Sequence, residues 1–259
     1  MGAFSVSDEM RIEDIDRVRW VRFDRPEKRN AFRIEDVEAI REAVNAAPED
    51  CACIVFAGEN GHFAAGADVS DFSAASMGKL EVGEDSVGQK MIREVRTCQR
   101  PTVAAIEGYC VGLAMVLATV CDIRVAGKTA RFSMPEVKIG LPVIGDSGLF
   151  AQYVGLARAK EMLLTGGWYS AEQMDQWGYL NRLTDEGGAV AAAQEFANVF
   201  RELPPRTLAA QKRIFEAWLQ LPLRDAHRIS ILEYAVTVAH PETAAWIDGY
   251  KAKRASMKP

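Results

Sequence analysis

Between residues 17 and 133 short β-rich runs alternate with helical segments, and a purely helical stretch follows. That order restricts the chain to an α/β layout with a helical appendage. "RVRWVRF" (17–23), "CACIVFAG" (51–58), "PTVAAIEG" (101–108), "DIRVAG" (122–127) and "ARFSM" (130–134) read as strands. Between them, "RIEDVEAIREAVNAA" places Ile34, Val37, Ile40 and Val44 at helical spacing. "EDSVGQKMIREVRTCQ" does the same with Val87, Met91, Ile92 and Val95, and "LAMVLATVC" is apolar all round, as a buried helix is. Later helices are predicted over 156–166, over 170–178 with Ser170 as N-cap and Gly178 as stop, and over 188–202. After the Pro204–Pro205 break, three more are predicted within 206–254. The predicted division is a core over residues 1–200 and a helical region over 201–259.

Composition limits what such a chain can do. The 259 residues carry a net charge of −5, which argues against a nucleic-acid partner. The N-terminus lacks a signal-peptide layout, and Val6 stands where a myristoylation motif after Gly2 needs Ser or Thr. The longest apolar run is too short for a bilayer. Five cysteines without a C-x-x-C spacing predict buried, reduced thiols in a cytoplasmic protein, with Cys51 and Cys53 on one face of a strand. Three scattered histidines offer no metal-ligand spacing, so no metal is expected. Neither a Rossmann nor a P-loop fingerprint is present.

Two loops and one acid carry the chemistry. "FAAGADVSDF" (63–72) is a loop of small residues that lets the backbone approach a ligand and expose N–H groups near Ala67. "IEGYCVGLAMVLA" (106–118) ends a strand, turns, and starts a helix near Leu113 after Gly112. Unpaired N–H groups at a helix start attract negative charge. Two such loops suit a pair of backbone donors on one thioester oxygen. "RFSMPEVKIGLP" then sets Glu136 among Phe132, Met134, Pro135, Val137 and Ile139. Hydrocarbon neighbours favour the neutral carboxyl and raise its pKa, which fits proton transfer near neutrality.

With "RPEKRNAF" and "AKEMLLTGGWYSAEQMDQWGYLNRL", these segments form an ordered set from about residue 15 to 255 that resembles the crotonase (enoyl-CoA hydratase/isomerase) superfamily. The resemblance implies a spiral of ββα units with a helical C-terminal region that packs in a homotrimer or homohexamer. It implies an acyl-CoA substrate, with coenzyme A as part of that substrate and no separate cofactor. The thioester oxygen would lie between the N–H groups of Ala67 and Leu113, the latter where the family usually carries glycine. Coenzyme A would run along Lys28, Arg29 and Ala31 and along Ala65, Asp68 and Val69, with the two cations near its phosphates. Gly112, Val116, Pro135 and Leu141 would complete the substrate pocket.

Glu136 matches the family's general acid/base. A second glutamate, which hydratases carry one turn into the helix, is Val116 here, so isomerisation is expected over hydration. Asp146 is a further candidate acid, for a decarboxylase or hydrolase, and equally a helix N-cap. Acids of the superfamily's dehalogenases and dienoyl isomerases map onto Ile144, so those activities are not expected. From another class, an idle acyl-CoA-binding scaffold of the same fold would keep both loops and lack a working acid.

Overall fold

The computed structural model describes residues 3–7, 9–71 and 83–256. The Gly2 and Phe72 positions considered above lie outside the described residues. Side chains are described from residue 9 to 70 and from 83 to 256.

Among the described residues seven strands make the main sheet: β1 (Ala3–Ser7), β2 (Met10–Ile15), β3 (Val18–Phe23), β4 (Cys53–Gly58), β5 (Thr102–Ile106), β7 (Ile123–Gly127) and β10 (Arg182–Thr184), in the order β1-β2-β3-β4-β5-β7-β10. The first three pair antiparallel, and everything from β3 onward is parallel. A small sheet carries β6 (Tyr109–Val111), β8 (Arg131–Ser133) and β9 (Tyr169–Ser170). A bridge between Ala64 and Cys110 extends it by one residue from the preceding turn of chain. Three successive passes therefore repeat one plan: a strand in the main sheet, a short extended piece across it, then a helix. The helices are α1 (Ile34–Asn45), α2 (Val87–Thr97) and α3 (Leu113–Val120).

Parallel strands buried on both faces read as near-continuous apolar runs, as "CIVFAG" and "TVAAI" do. One face of the main sheet packs on α1, α2 and α3, with Val21, Phe23, Ile54, Phe56, Ala104 and Ile106 in that core. The opposite face, with Val18, Trp20, Cys53, Val55 and Val103, is covered by α7 (Ala189–Arg201). That helix offers Ala189, Ala192, Ala193 and Ala197, whose small side chains let it lie close to the strands.

All five cysteines are free and buried. Cys51 and Cys53 do not share a face, because the strand starts only at Cys53: Cys51 packs in the core with α1 and Cys53 in the core with α7. Sequence reading also missed β2. Its Met10 and Ile12 are buried and Arg11 is exposed, but one turn of alternation in a charged stretch is a weak signal. The short strands β6, β9 and β10, two or three residues each, fall below what periodicity resolves.

The chain continues through α4 (Phe150–Val154), α5 (Leu156–Thr165) and α6 (Ala171–Gln176). Ser170 caps α6 as expected, accepting from Gln173 N–H while the Gln173 side chain accepts from Ser170 N–H. Beyond α7 lie α8 (Pro205–Gln220), α9 (Leu223–Ala239) and α10 (Pro241–Ser256). Only α8 packs broadly on the body, through Ala209, Ala210, Lys212 and Ala217. Its Lys212 donates to Asp122 at 2.6 Å and to the Arg100 carbonyl at 3.0 Å. Helix α9 buries Ala226 alone and α10 buries nothing, while Phe215, Trp218, Leu232, Tyr234 and Trp246 stay exposed. Among the described residues no helix is long and apolar enough to cross a membrane.

Candidate active site

The two loops singled out in the sequence meet. Gly66 has φ +91°, a left-handed conformation, and a Cβ there would stand 2.6 Å from the Val111 carbonyl oxygen and 3.4 Å from Leu113 N. Only glycine lets this loop close on the start of α3. The loop is pinned from its other side: Phe32 N–H donates to Gly66 O, Asp68 N–H to Phe32 O, and Ala65 N–H to Arg29 O, all within 2.9 Å. Those bonds leave Ala67 N–H without a partner among the described residues. Leu113 N–H is equally unpaired, as expected one residue into a helix whose first bond runs from Val116 N–H to Gly112 O.

Glu136 reaches the same spot. It opens a 3-10 turn, Glu136–Ile139, directly after β8. A Cβ on Gly112 would lie 2.8 Å from Glu136 Oε1, so the absence of a side chain at Gly112 admits the carboxylate to the start of α3. The other oxygen, Oε2, is buried and has no hydrogen-bond partner among the described residues. Burial raises the pKa of Glu136, partly opposed by its own backbone N–H. The apolar company differs from that read in the sequence. Pro135 and Ile139 line the cavity beside the acid while Val137 does not, Phe132 and Met134 are buried in the core, and further walls come from distant segments.

Those walls enclose a cavity of about 370 Å3. Ala65, Gly66, Ala67 and Val69 line it from one loop, Gly112, Leu113 and Val116 from the other, and Pro135, Glu136 and Leu141 from the acid's segment. Val116 is 8% exposed and lines this space with a hydrocarbon side chain. Gln89 and Ile92 on α2, Lys138 and Ile139, and Pro142, Val143, Ile144 and Ser147 also contribute. Sequence reading placed Ile144 at a position where related enzymes carry an acid but missed Gln89 and Ile92, which the fold brings in from α2 with no signal of their own.

Lys28, Arg29 and Ala31 lie beside the cavity and do not line it. Lys28 ends a 3-10 turn, Pro26–Lys28, and is exposed. Arg29 is exposed, with its guanidinium 5.0 Å from the Tyr109 ring centre. Buried Asn30 holds this strip in place, accepting from Arg25 N–H and donating to the carbonyls of Glu59 and His62. The strip and the loop at 65–69 are thus joined into one surface.

Two acids have other roles. Asp68 is buried and faces away from the cavity, paired with Arg25 at 2.7 Å and accepting from Ser70 N–H and Oγ–H. The Ser70 bonds, with Arg25, hold its pKa down at about 2. A carboxylate so held fastens the loop to Arg25. Asp146 sits second in the turn Gly145–Leu149, outside the cavity lining, in an ion pair with Arg96, which also meets Glu216 at 3.1 Å. Its side chain makes no capping bond, so the N-cap expectation fails as well.

Comparison with known proteins gives the family. The family model described as enoyl-CoA hydratase/isomerase matches residues 14–256. The chain belongs to the enoyl-CoA hydratase/isomerase family. A carnitinyl-CoA dehydratase of Salmonella enteritidis is 30% identical over 233 residues, 86% of this chain and 87% of that one. The Mycobacterium bovis protein named "Probable enoyl-CoA hydratase echA8" is 28% identical over 247 residues, 92% and 94% of the two chains. Among solved structures, an enoyl-CoA hydratase from Polaromonas superposes with a TM-score of 0.85 at 26% identity, covering 94% of this chain and 97% of the other. Human enoyl coenzyme A hydratase domain-containing protein 3, at 21% identity and a TM-score of 0.87 over 95% and 98%, shares the fold. The α/β spiral with C-terminal helices is thus the crotonase fold, on a chain of an acyl-CoA enzyme family.

The raised pKa of Glu136 has a consequence for stability. In the pH window between the unfolded carboxyl pKa, about 4.3, and the higher folded value, the native state binds more protons than the unfolded state. Stability therefore falls as pH rises through that window, and the ionised carboxylate destabilises the fold above it. Glu136→Gln removes this cost. Its melting temperature should exceed wild type at pH 7.5, and the difference should shrink below about pH 4. A variant less stable than wild type at pH 7.5 would show that the carboxylate is not desolvated.

Proposed function

We propose that the chain moves a double bond in an enoyl-CoA, through a thioester enolate. The observation that carries this reading is the convergence of an unpartnered, buried carboxylate oxygen of Glu136 with two unpaired backbone N–H groups, on Ala67 and Leu113. With the thioester oxygen between the two donors, Glu136 takes a proton from C2 of a 3-enoyl thioester. The C–H electron pair enters the conjugated system and charge collects on the oxygen, where the N–H dipoles and the start of α3 stabilise it. Return of the proton to C4 leaves a 2-enoyl thioester and restores the carboxylate. One acid is enough for this shuttle, and no group beyond chain and substrate takes part. Addition of water needs a second group to orient it, and Val116 supplies none. Coenzyme A would lie along Lys28–Ala31, the surface fastened to the 65–69 loop by the Ala65–Arg29 hydrogen bond.

A decarboxylase or hydrolase working through Asp146 gains nothing from the geometry, since that carboxylate is paired with Arg96 outside the cavity. An idle acyl-CoA binder is separated from an enzyme by proton exchange. Incubated in heavy water, wild type should place deuterium at C2 of an acyl-CoA. Glu136→Gln should exchange at least about 10²-fold more slowly, the usual scale of a general base, with similar acyl-CoA affinity. Hydration of a trans-2-enoyl-CoA should be weak. Near-native exchange in the variant would move the chemistry elsewhere, absence of exchange in wild type would mark a binder, and hydration at roughly 10²–10³ per second would overturn the preference for isomerisation.

We further propose that α8–α10 pack against a second copy of the chain in a homotrimer or homohexamer. Their exposed apolar residues, among them Trp218, Leu232, Tyr234 and Trp246, have no core beneath them. Light scattering at micromolar concentration should report a trimer or hexamer, and a monomer would contradict it.

A further inference from the structure

Gln89 is a polar side chain of the cavity, on the wall formed by α2, whose chemistry the proton shuttle leaves unused. It sits in the first turn of α2, half-exposed, and its amide has no hydrogen-bond partner among the described residues. Around it the cavity is apolar, with Ile92, Val143 and Ile144, while the nearby Ser147 hydroxyl already donates to the Ile144 carbonyl at 2.8 Å. An amide offers both a donor and an acceptor.

The backbone opposite is shaped to hold that amide. Gly145 has φ +64°, and a Cβ on it would lie 2.1 Å from Gln89 Oε1 and 3.0 Å from Gln89 Cδ. The end of Gln89 therefore rests directly on the Gly145 backbone, in space that any other residue would fill. The turn that provides this cradle, Gly145–Leu149, is tied to the same helix by the Asp146–Arg96 ion pair. Residues 89, 92 and 96 follow helical spacing, so one face of α2 presents the amide, a cavity wall and the arginine that steadies the cradle.

We infer that Gln89 is a specificity-determining residue that selects acyl-CoA esters carrying an oxygen substituent, a hydroxyl or carbonyl, on the acyl chain. This inference rests on the acyl-CoA reading above and narrows its substrate class. An unbranched hydrocarbon chain would leave the amide without a partner once water is displaced, whereas an oxygen on the chain satisfies it. Arg96 and Asp146 act as positioning residues, through the cradle.

Calorimetric titration with butyryl-CoA, 3-hydroxybutyryl-CoA and 4-hydroxybutyryl-CoA tests this in the full-length protein. Wild type should bind one of the two hydroxy esters about tenfold more tightly than butyryl-CoA, the effect of about one net hydrogen bond. Gln89→Leu should erase that preference and keep butyryl-CoA affinity within about twofold, with folding checked by thermal melt. Gly145→Ala, which expels the amide from its cradle while leaving the glutamine in place, should also erase it. Equal binding of all three esters by wild type, or a preference that survives in Gln89→Leu, overturns the role of Gln89. Failure of wild type to bind butyryl-CoA at all overturns the acyl-CoA reading, and this inference with it.

Discussion

The site depends on one close approach, the loop around Gly66 against the junction of β6 and α3. A single added methyl at Gly66 would meet the Val111 carbonyl at 2.6 Å, so the loop could not settle where it does. Settled there, it brings Ala67 and Leu113 to the lining of one cavity and leaves the N–H of each without a partner among the described residues. Two half-buried donors without protein partners carry a cost in a folded protein. They persist because backbone bonds on both flanks, from Phe32 to Gly66 and from Gly112 to Ser133, hold the chain in this shape.

Glu136 is held by a second approach of the same kind, over Gly112. Two influences oppose each other on its carboxyl. The start of α3 favours negative charge, while burial in an apolar cavity disfavours it. Burial is the larger, and the pKa rises. A carboxyl in that balance can take a proton and give it back, which one ionised firmly, such as Asp68 beside Arg25 and Ser70, cannot do near neutral pH. The two acids show how burial alone does not decide a role: the partners do.

Much of this was legible in the sequence. Long periodic helices and apolar strands announce themselves, and the glycine-containing loops with the lone acid of "MPEVKIGLP" identify the segments that form the site. What the sequence could not show is which side chains point inward. Val137 and Ile139 are both neighbours of Glu136 in the chain, yet only Ile139 lines the cavity, and much of the wall comes from Val116 and other distant segments. Asp68 and Asp146 looked like site residues by position, and each proved to be committed to an arginine: Arg25, 43 residues away, and Arg96, 50 residues away. Gln89 gave no signal, because its importance comes from Gly145, which only the fold sets beside it. Long-range pairings of this sort leave no periodicity behind.

The central claim is that Ala67 N–H and Leu113 N–H together polarise a thioester oxygen. Difference infrared spectroscopy with an acyl-CoA labelled with carbon-13 at the thioester carbonyl reads that interaction directly. Two hydrogen bonds in a largely apolar cavity draw electron density to the oxygen and weaken the C=O bond, so the labelled band should fall in frequency on binding. The shift should persist in Glu136→Gln, which leaves both donors in place. A band that stays at its solution position, in a protein shown by titration to hold the ligand, would contradict the account.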